Sequence, residues 1–213
     1  MTRPSLRTSH GEVSIAIDGP EAAPTTVVLG HGAGAPMDSD YMVFFGQALA
    51  GDDVRVVRFN FPYMEAGKKT PGNQAVSEET FRQVADSFRT SKLVLGGKSY
   101  GGRIASHVVA SGEPADGLLF LGYPLHAPGR PDRIRDAHLR AVSCPMLFVE
   151  GTRDPFCPLD TLERVRSSLS APSEVIVVED GDHSLKVRKS SGRSTQDAWS
   201  EAATEIERWL AAL

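Results

Sequence analysis

Apolar residues in this chain gather in short runs, and most of the runs are continuous rather than alternating with polar residues. Val27-Val28-Leu29 and Val175-Ile176-Val177-Val178 are two examples. Continuous runs of this length are typical of strands covered by helices on both faces, as in a parallel sheet. Such runs predict strands at 12–17, 25–30, 54–59, 92–96, 117–122, 145–150 and 174–179.

The segments between these runs place apolar side chains on one helical face. The clearest stripe is formed by Ala198, Trp199, Ala202, Ile206, Trp209 and Leu210. The predicted helices are 41–50, 78–88, 100–110, 159–169 and 195–213. Alternating strands and helices predict the α/β class, as one open, doubly wound, mostly parallel sheet flanked by helices. Sheets of this kind bind ligands beyond the carboxyl ends of their strands.

Length and composition narrow the possible function. A chain of 213 residues fits a single α/β domain, so we expect one domain over 1–213. The net charge of −4 and the scattered basic residues argue against a nucleic-acid partner. No apolar run approaches the length of a membrane span, and the first six residues lack a signal-peptide core, so a soluble, cytoplasmic protein is expected. Cys144 and Cys157 lack Cys-x-x-Cys spacing and a histidine partner, which predicts free thiols and no metal site.

A Gly-x-Ser-x-Gly motif, Gly97-Lys98-Ser99-Tyr100-Gly101, lies between a predicted strand and a predicted helix. A serine at such a turn is held in a strained backbone conformation, with its hydroxyl clear of the sheet. The flanking glycines allow strand and helix to approach closely. The motif alone is a weak signal in a chain with 20 glycines, but its position makes Ser99 a candidate nucleophile.

A serine nucleophile requires a base and a carboxylate that orients the base. Asp154 follows the predicted strand 145–150, and His183 follows the strand 174–179. The chain order Ser99, Asp154, His183 is the nucleophile, acid and histidine order expected of one particular fold. Asp154 could equally be a turn or capping residue before Pro155.

Asp180 and Asp182 lie closer to His183 in the sequence than Asp154 does. A neighbour in the same turn cannot easily reach the ring nitrogen that faces away from the serine. We therefore interpret both aspartates as polar loop residues.

Acyl transfer also requires backbone donors for the tetrahedral oxyanion. The amide of Tyr100, at the start of the helix after Ser99, is one candidate. The loop His31-Gly32-Ala33-Gly34 follows an early strand and supplies the other, which we assign to Ala33 with Gly34 as the alternative. His31 is expected to organise this loop by hydrogen bonding.

Taken together, these motifs make the chain resemble the α/β-hydrolase superfamily, in particular its small, capless, dienelactone-hydrolase-like branch. The resemblance rests on the loop at His31, the turn at Ser99, Gly-x-x-Asp ending at Asp154 and Gly-Asp-His ending at His183. It implies that Ser99 is the nucleophile, Asp154 the orienting acid and His183 the general base and then the general acid. Dienelactone hydrolases carry a cysteine where this chain has Ser99, which puts that substrate in doubt.

Only about twenty residues separate the strand ending near Gly122 from the strand starting near Pro145. Prolines near the start of this segment disfavour a helix there. Larger relatives insert a helical cap there, so we expect an uncapped, open site walled by short loops. We assign substrate contacts to Tyr63, Tyr123 and Phe156. Further candidates are Tyr41, Phe44, Phe45 and Met64, and core packing is the alternative for about half of these residues.

Three other interpretations compete with the hydrolase. A phosphate-binding loop would require glycine where the chain has Lys92. The segment 30–35 fits a dinucleotide-binding pattern, but the next strand ends at Asn60 without an acidic residue for a ribose, and Pro36 interrupts the expected helix. A non-catalytic interaction module on the same fold remains the alternative, although retention of all three triad residue types argues against it.

The sequence therefore predicts a serine hydrolase that cleaves carboxylic ester or thioester bonds through an acyl-enzyme, with no metal or organic cofactor. Its expected partner is a small-molecule acyl substrate, and a short-chain carboxylic ester is the default. The chain is expected to be a monomer or a homodimer, with no nucleic-acid or membrane partner.

Overall fold

The computed structural model of the protein describes residues 4–213. Residues 1–3, which belong to the predicted domain and to its N-terminal segment, lie outside the described residues. The strands in the described range are β1 Ser5–Thr8, β2 Gly11–Asp18, β3 Thr25–Gly30, β4 Val54–Phe59, β5 Lys92–Lys98, β6 Gly117–Leu121, β7 Met146–Gly151 and β8 Ser173–Val178. They form one eight-stranded sheet in the order β1-β2-β4-β3-β5-β6-β7-β8. Pairing from β4 through β8 is parallel, whereas β1 and β2 pair antiparallel.

The predicted α/β class and mostly parallel sheet are confirmed, with strand ends within two residues of the structure. Strand β1 was not predicted, because Ser5-Leu6-Arg7-Thr8 contains no apolar run. Strand β5 continues two residues beyond its predicted end, to Lys98, since its last residues pair with β6 although they are not aliphatic.

The helices cover both faces of the sheet. They are α1 Asp40–Leu49, α2 Pro62–Glu65, α3 Gln74–Ser87, α4 Tyr100–Ala110, α5 Leu159–Arg166 and α6 Thr195–Ala212, with 3₁₀ turns at Ala137–Ala141 and Lys189–Ser191. Helix α3 begins four residues before its predicted start because the side chain of Asn73 caps it by accepting from the Ala75 amide. Helix α2 is a single turn that begins at Pro62, and the sequence did not predict it.

Two apolar cores lie on opposite faces of the sheet. One contains Phe81 of α3 and Ile104 of α4, and the other contains Phe45 of α1 and Ile206 of α6. Neighbouring residues of the central strands face opposite cores, which explains why these strands are apolar throughout. Each residue of the predicted α6 stripe is buried.

The connection between β6 and β7 contains a 3₁₀ turn, Ala137–Ala141, and no α-helix. The predicted absence of a helical cap is therefore confirmed. Among the described residues no helix is long and apolar enough to cross a membrane. The loops after β3, β5, β7 and β8 meet at the carboxyl edge of the sheet, where the predicted site residues lie.

Candidate active site

Ser99 lies in the sharp turn between β5 and α4, with φ 49° and ψ −108°. A positive φ is uncommon for a residue with a side chain and is a known form of local strain at functional sites. Gly97 and Gly101 make the turn possible, because a Cβ at either position would lie 2.1 or 2.0 Å from the carbonyl oxygen of Gly30. The turn at Ser99 thus packs directly on the end of the central strand β3.

His183 connects Ser99 and Asp154. Its Nε2 lies 2.8 Å from Ser99 Oγ, and its Nδ1 lies 2.6 Å from Asp154 Oδ2. The Asp154 side chain is fully buried, and an ionised carboxylate there only accepts hydrogen bonds. The imidazole therefore donates from Nδ1, and the Ser99 hydroxyl donates to the lone pair on Nε2.

The aspartates of these two loops differ in their hydrogen-bond partners. Asp154 stabilises the turn in which it lies, because its Oδ1 accepts from the Phe156 amide at 2.8 Å. Its other oxygen, Oδ2, accepts from His183. Asp180 accepts from Arg188 at 2.7 Å, and Asp182 accepts from two backbone amides of its own loop. Asp180 and Asp182 are therefore loop residues.

The loop after β7 and the loop after β8 pack against each other. A Cβ at Gly151 would lie 2.2 Å from the carbonyl oxygen of Gly181, and that carbonyl accepts from the Arg153 amide at 2.8 Å. Trp199 of α6 donates its indole N–H to the Ser184 carbonyl at 3.0 Å. The loop after β8, which carries His183 and is called the histidine loop below, is thus held from two sides.

The loop after β3 is organised by His31, as the sequence predicts. Its ring Nδ1 donates to the Gly32 carbonyl at 2.7 Å, and its Nε2 accepts from the Phe61 amide at 3.1 Å. Burial lowers the pKa of His31 to about 4, which favours the neutral ring that has one donor and one acceptor. The Gly32 carbonyl shares a peptide unit with the Ala33 amide, so this hydrogen bond orients one candidate oxyanion donor beside Ser99.

Tyr63 and Tyr123 do not line the site, in contrast to the prediction. Tyr63 is 8% exposed and donates its hydroxyl to the Ala33 carbonyl at 3.1 Å. Tyr123 is 1% exposed, and its hydroxyl lies 3.2 Å from His138 Nε2 in the core. Both rings pack in the apolar core, Tyr63 stacked on Phe61 and Tyr123 edge-on to Phe148.

Phe156 does line the site, and its ring packs edge-on against His183 with centroids 4.7 Å apart. Tyr41 and Phe44 also line the site, whereas Phe45 is fully buried and Met64 packs against the core.

A pocket of about 980 Å³ opens beside Ser99 and His183. Its apolar wall is formed by Tyr41, Phe44, Phe156 and Trp199. The sequence assigned Trp199 only to the helical stripe, although its place at the start of α6, shortly after the histidine loop, was a usable signal. Gln47, Lys186 and Gln196 supply polar groups at other positions around the pocket.

Two buried ionisable groups, Lys98 and Glu150, belong to the same edge of the sheet, and the sequence did not single them out. Lys98 donates from Nζ to the His183 carbonyl, and burial lowers the pKa of Lys98 to about 8. Glu150 is fully buried and accepts from the Tyr123 amide at 2.6 Å. Burial, followed by the charge of Asp154, raises the pKa of Glu150 well above its ordinary value.

Family and structural comparisons agree with this geometry. Residues 23–211 match the model of the alpha/beta hydrolase domain family. The chain therefore belongs to the α/β hydrolases, and its uncapped architecture places it in the lid-less branch.

Several solved structures share the fold over nearly the whole chain. A serine hydrolase without a lid from Xanthomonas campestris is 20% identical, with a TM-score of 0.74, covering 98% of this chain and 94% of that chain. Est1E from Butyrivibrio proteoclasticus, with ferulic acid bound, is 14% identical, with a TM-score of 0.75 and coverage of 99% and 100%. A dienelactone hydrolase from Anabaena variabilis is 15% identical, with a TM-score of 0.75 and coverage of 99% and 96%.

Proposed function

We propose that this protein is a serine hydrolase that cleaves carboxylic ester or thioester bonds through an acyl-enzyme. The observation that carries the proposal is the continuous hydrogen-bonded series Asp154 Oδ2, His183 and Ser99 Oγ, with heavy-atom distances of 2.6 and 2.8 Å. A serine in a strained elbow, a neutral imidazole acceptor and a buried carboxylate are the parts required for nucleophilic acyl transfer.

Acylation follows from this arrangement. Ser99 Oγ attacks the carbonyl carbon of the ester while its proton moves to His183 Nε2. Asp154 stabilises the imidazolium that forms and keeps its ring orientation. As the tetrahedral intermediate collapses, the carbon–oxygen bond to the leaving group breaks, and His183 gives its proton to the departing alkoxide. For a thioester, the corresponding carbon–sulfur bond breaks.

Deacylation repeats these steps with water. His183 Nε2 removes a proton from water, the resulting hydroxyl attacks the acyl carbon, and the bond to Ser99 Oγ breaks. His183 then returns its proton to Ser99. The net reaction consumes one ester and one water and yields one acid and one alcohol.

The oxyanion donors in this proposal are the backbone amides of Tyr100 and Ala33. Tyr100 is the first residue of α4, where an amide has no acceptor within its own helix. The Ala33 amide belongs to the peptide unit whose carbonyl is held by His31. Donors fixed in this way stabilise developing charge without reorganising during the reaction.

Support for a small acyl substrate comes from the pocket, whose walls combine four aromatic residues with a few polar groups. A solved structure of similar fold, Est1E, holds ferulic acid, which is consistent with a carboxylic acid as product. A short-chain carboxylic ester is the first substrate to test. In this proposal the protein is cytoplasmic and works as a monomer or homodimer. It requires no nucleic-acid or membrane partner.

Covalent labelling with a fluorophosphonate tests the proposal without a known substrate. The wild type should gain one probe mass by intact-mass spectrometry, and Ser99→Ala should gain none. Ser111→Ala, a change at the other end of α4, is the matched control and should label like the wild type. A folded wild type that does not label would favour a non-catalytic interaction module instead.

A further inference from the structure

Two adjacent residues of the nucleophile elbow contact the same histidine at different places. Ser99 meets the ring of His183 at Nε2, and Lys98 donates from Nζ to the backbone carbonyl of His183. Lys98 is 9% exposed, so this ammonium has been removed from water to reach a neutral carbonyl. Burying a lysine is costly, and its location beneath the triad suggests a reason for that cost.

The histidine loop needs external support. Asp180 and Leu185, three residues before and two residues after His183, have φ values of 59° and 57°. Non-glycine residues in this conformation persist only where their surroundings hold them. Arg188 binds Asp180, and Trp199 binds the loop from α6. Lys98 supplies the restraint on the side of the nucleophile.

Gly122 leaves the room for this contact. It directly follows β6 with φ +72°, and a Cβ there would lie 2.7 Å from the His183 carbonyl oxygen and 2.9 Å from Lys98 Nζ. The Lys98 ammonium also lies 5.3 Å from the ring centroid of Tyr41. The lysine is thus enclosed between the end of β6, the histidine loop and the pocket wall.

We propose that Lys98 is a positioning residue whose hydrogen bond to the His183 backbone keeps the imidazole aligned with Ser99 and Asp154. This inference rests on the proposed serine hydrolase function. The negative charges that act on Lys98 are those of the carboxyls of Asp154, Glu150 and Asp182, and the Tyr41 ring packs beside its ammonium. Both the ammonium and the neutral amine carry N–H donors, so the contact survives loss of the charge.

The test compares Lys98→Met with the wild type, using p-nitrophenyl acetate as the substrate. Methionine keeps much of the apolar stem and removes the donor. We expect kcat to fall by about 10- to 100-fold, since small misplacements of a catalytic group can cost this much, with KM nearly unchanged. The melting temperature should stay the same or rise, because the variant no longer buries a charge. Fluorophosphonate labelling should slow in parallel with kcat.

Lys92→Met is the matched control, since it makes the same change at the opposite end of β5 and should keep the wild-type kcat. Lys98→Arg keeps a donor and should recover most of the kcat lost in Lys98→Met. If Lys98→Met does not fold, the kcat of Lys98→Arg tests the positioning role. A folded arginine variant with low kcat would overturn the proposal, and one with nearly the wild-type kcat would support it.

Other outcomes would also contradict the positioning role. For a folded Lys98→Met, a kcat within about twofold of the wild type or a raised KM with normal kcat would each overturn it. A lowered melting temperature together with a loss of kcat that Lys98→Arg does not recover would overturn it as well. Failure of the wild type to label would instead reject the serine hydrolase itself. Rapid labelling of both the wild type and Lys98→Met would reject only the role of Lys98.

Discussion

The hydroxyl of Tyr63 donates to the carbonyl of Ala33 at 3.1 Å. This carbonyl shares a peptide unit with the amide of Gly34, the alternative oxyanion donor, while His31 holds the carbonyl that shares a unit with the Ala33 amide. Two different side chains thus orient the two candidate donor peptides. A residue predicted to contact substrate instead supports the loop that carries the proposed oxyanion donors.

Tyr63→Phe should separate these two roles. Loss of one hydrogen bond worth about 1 kcal/mol should lower kcat roughly fivefold through a looser oxyanion loop, with little change in KM for p-nitrophenyl acetate. Tyr123→Phe is the matched control, since it removes a buried hydroxyl whose partners are Ser106 and His138 and should change only the melting temperature. A raised KM for Tyr63→Phe would restore its role as a substrate contact.

Asp154→Asn should reduce kcat by roughly 10⁴-fold, by analogy with the loss seen when a triad carboxylate becomes an amide. An asparagine amide group facing Nδ1 favours the tautomer in which Nε2 carries the proton and cannot accept from Ser99. The melting temperature should change little. Asp182→Asn, which keeps the oxygen that accepts from its loop amides, should retain most of the activity, and equal losses in the two variants would argue against the triad assignment.

The elbow glycines should tolerate no side chain. Gly101→Ala should destabilise the fold by about 3 kcal/mol or prevent folding, because its Cβ would lie 2.0 Å from the backbone of Gly30. Gly34→Ala has open space around its Cβ and should melt like the wild type. Urea unfolding of the two variants provides the comparison, and equal stability would show that the elbow is not packed as described.

Acid should weaken the fold in part through His31. Burial lowers its pKa from the ordinary 6.5 to about 4. Between these pH values the unfolded chain binds the proton and the folded chain does not, so stability falls as pH drops from 6.5 to 4. The full effect is about 3 kcal/mol. Urea unfolding at pH 7 and pH 4.5 should show a smaller pH-dependent loss for His31→Asn than for the wild type, and an unchanged loss would contradict this assignment.

Much of the fold and the triad geometry could be predicted from patterns that depend on the backbone alone. Strands buried on both faces must be apolar throughout, so their runs are visible in the sequence. The carboxyl ends of parallel strands meet at one edge, so residues that follow those strands were expected to come together. Ser99, Asp154 and His183 do so at hydrogen-bond distance.

Side-chain direction in the loops could not be predicted in the same way. Tyr63 belongs to a one-turn helix that the sequence did not predict, and Tyr123 follows Gly122, whose φ of +72° is outside regular strand geometry. Both rings point inward. Lys98 was missed because a lysine at a strand end is ordinarily solvated, and only the packed structure shows its contact with His183.

Rapid mixing with p-nitrophenyl acetate, an acid quench and peptide mapping by mass spectrometry tests the central claim most directly. We expect one acetyl group on the peptide that contains Ser99, accumulating in His183→Ala far more slowly than in the wild type. Hydrolysis without acetylated Ser99, or acetylation at another residue while Ser99→Ala keeps full activity, would contradict an acyl-enzyme formed on this serine.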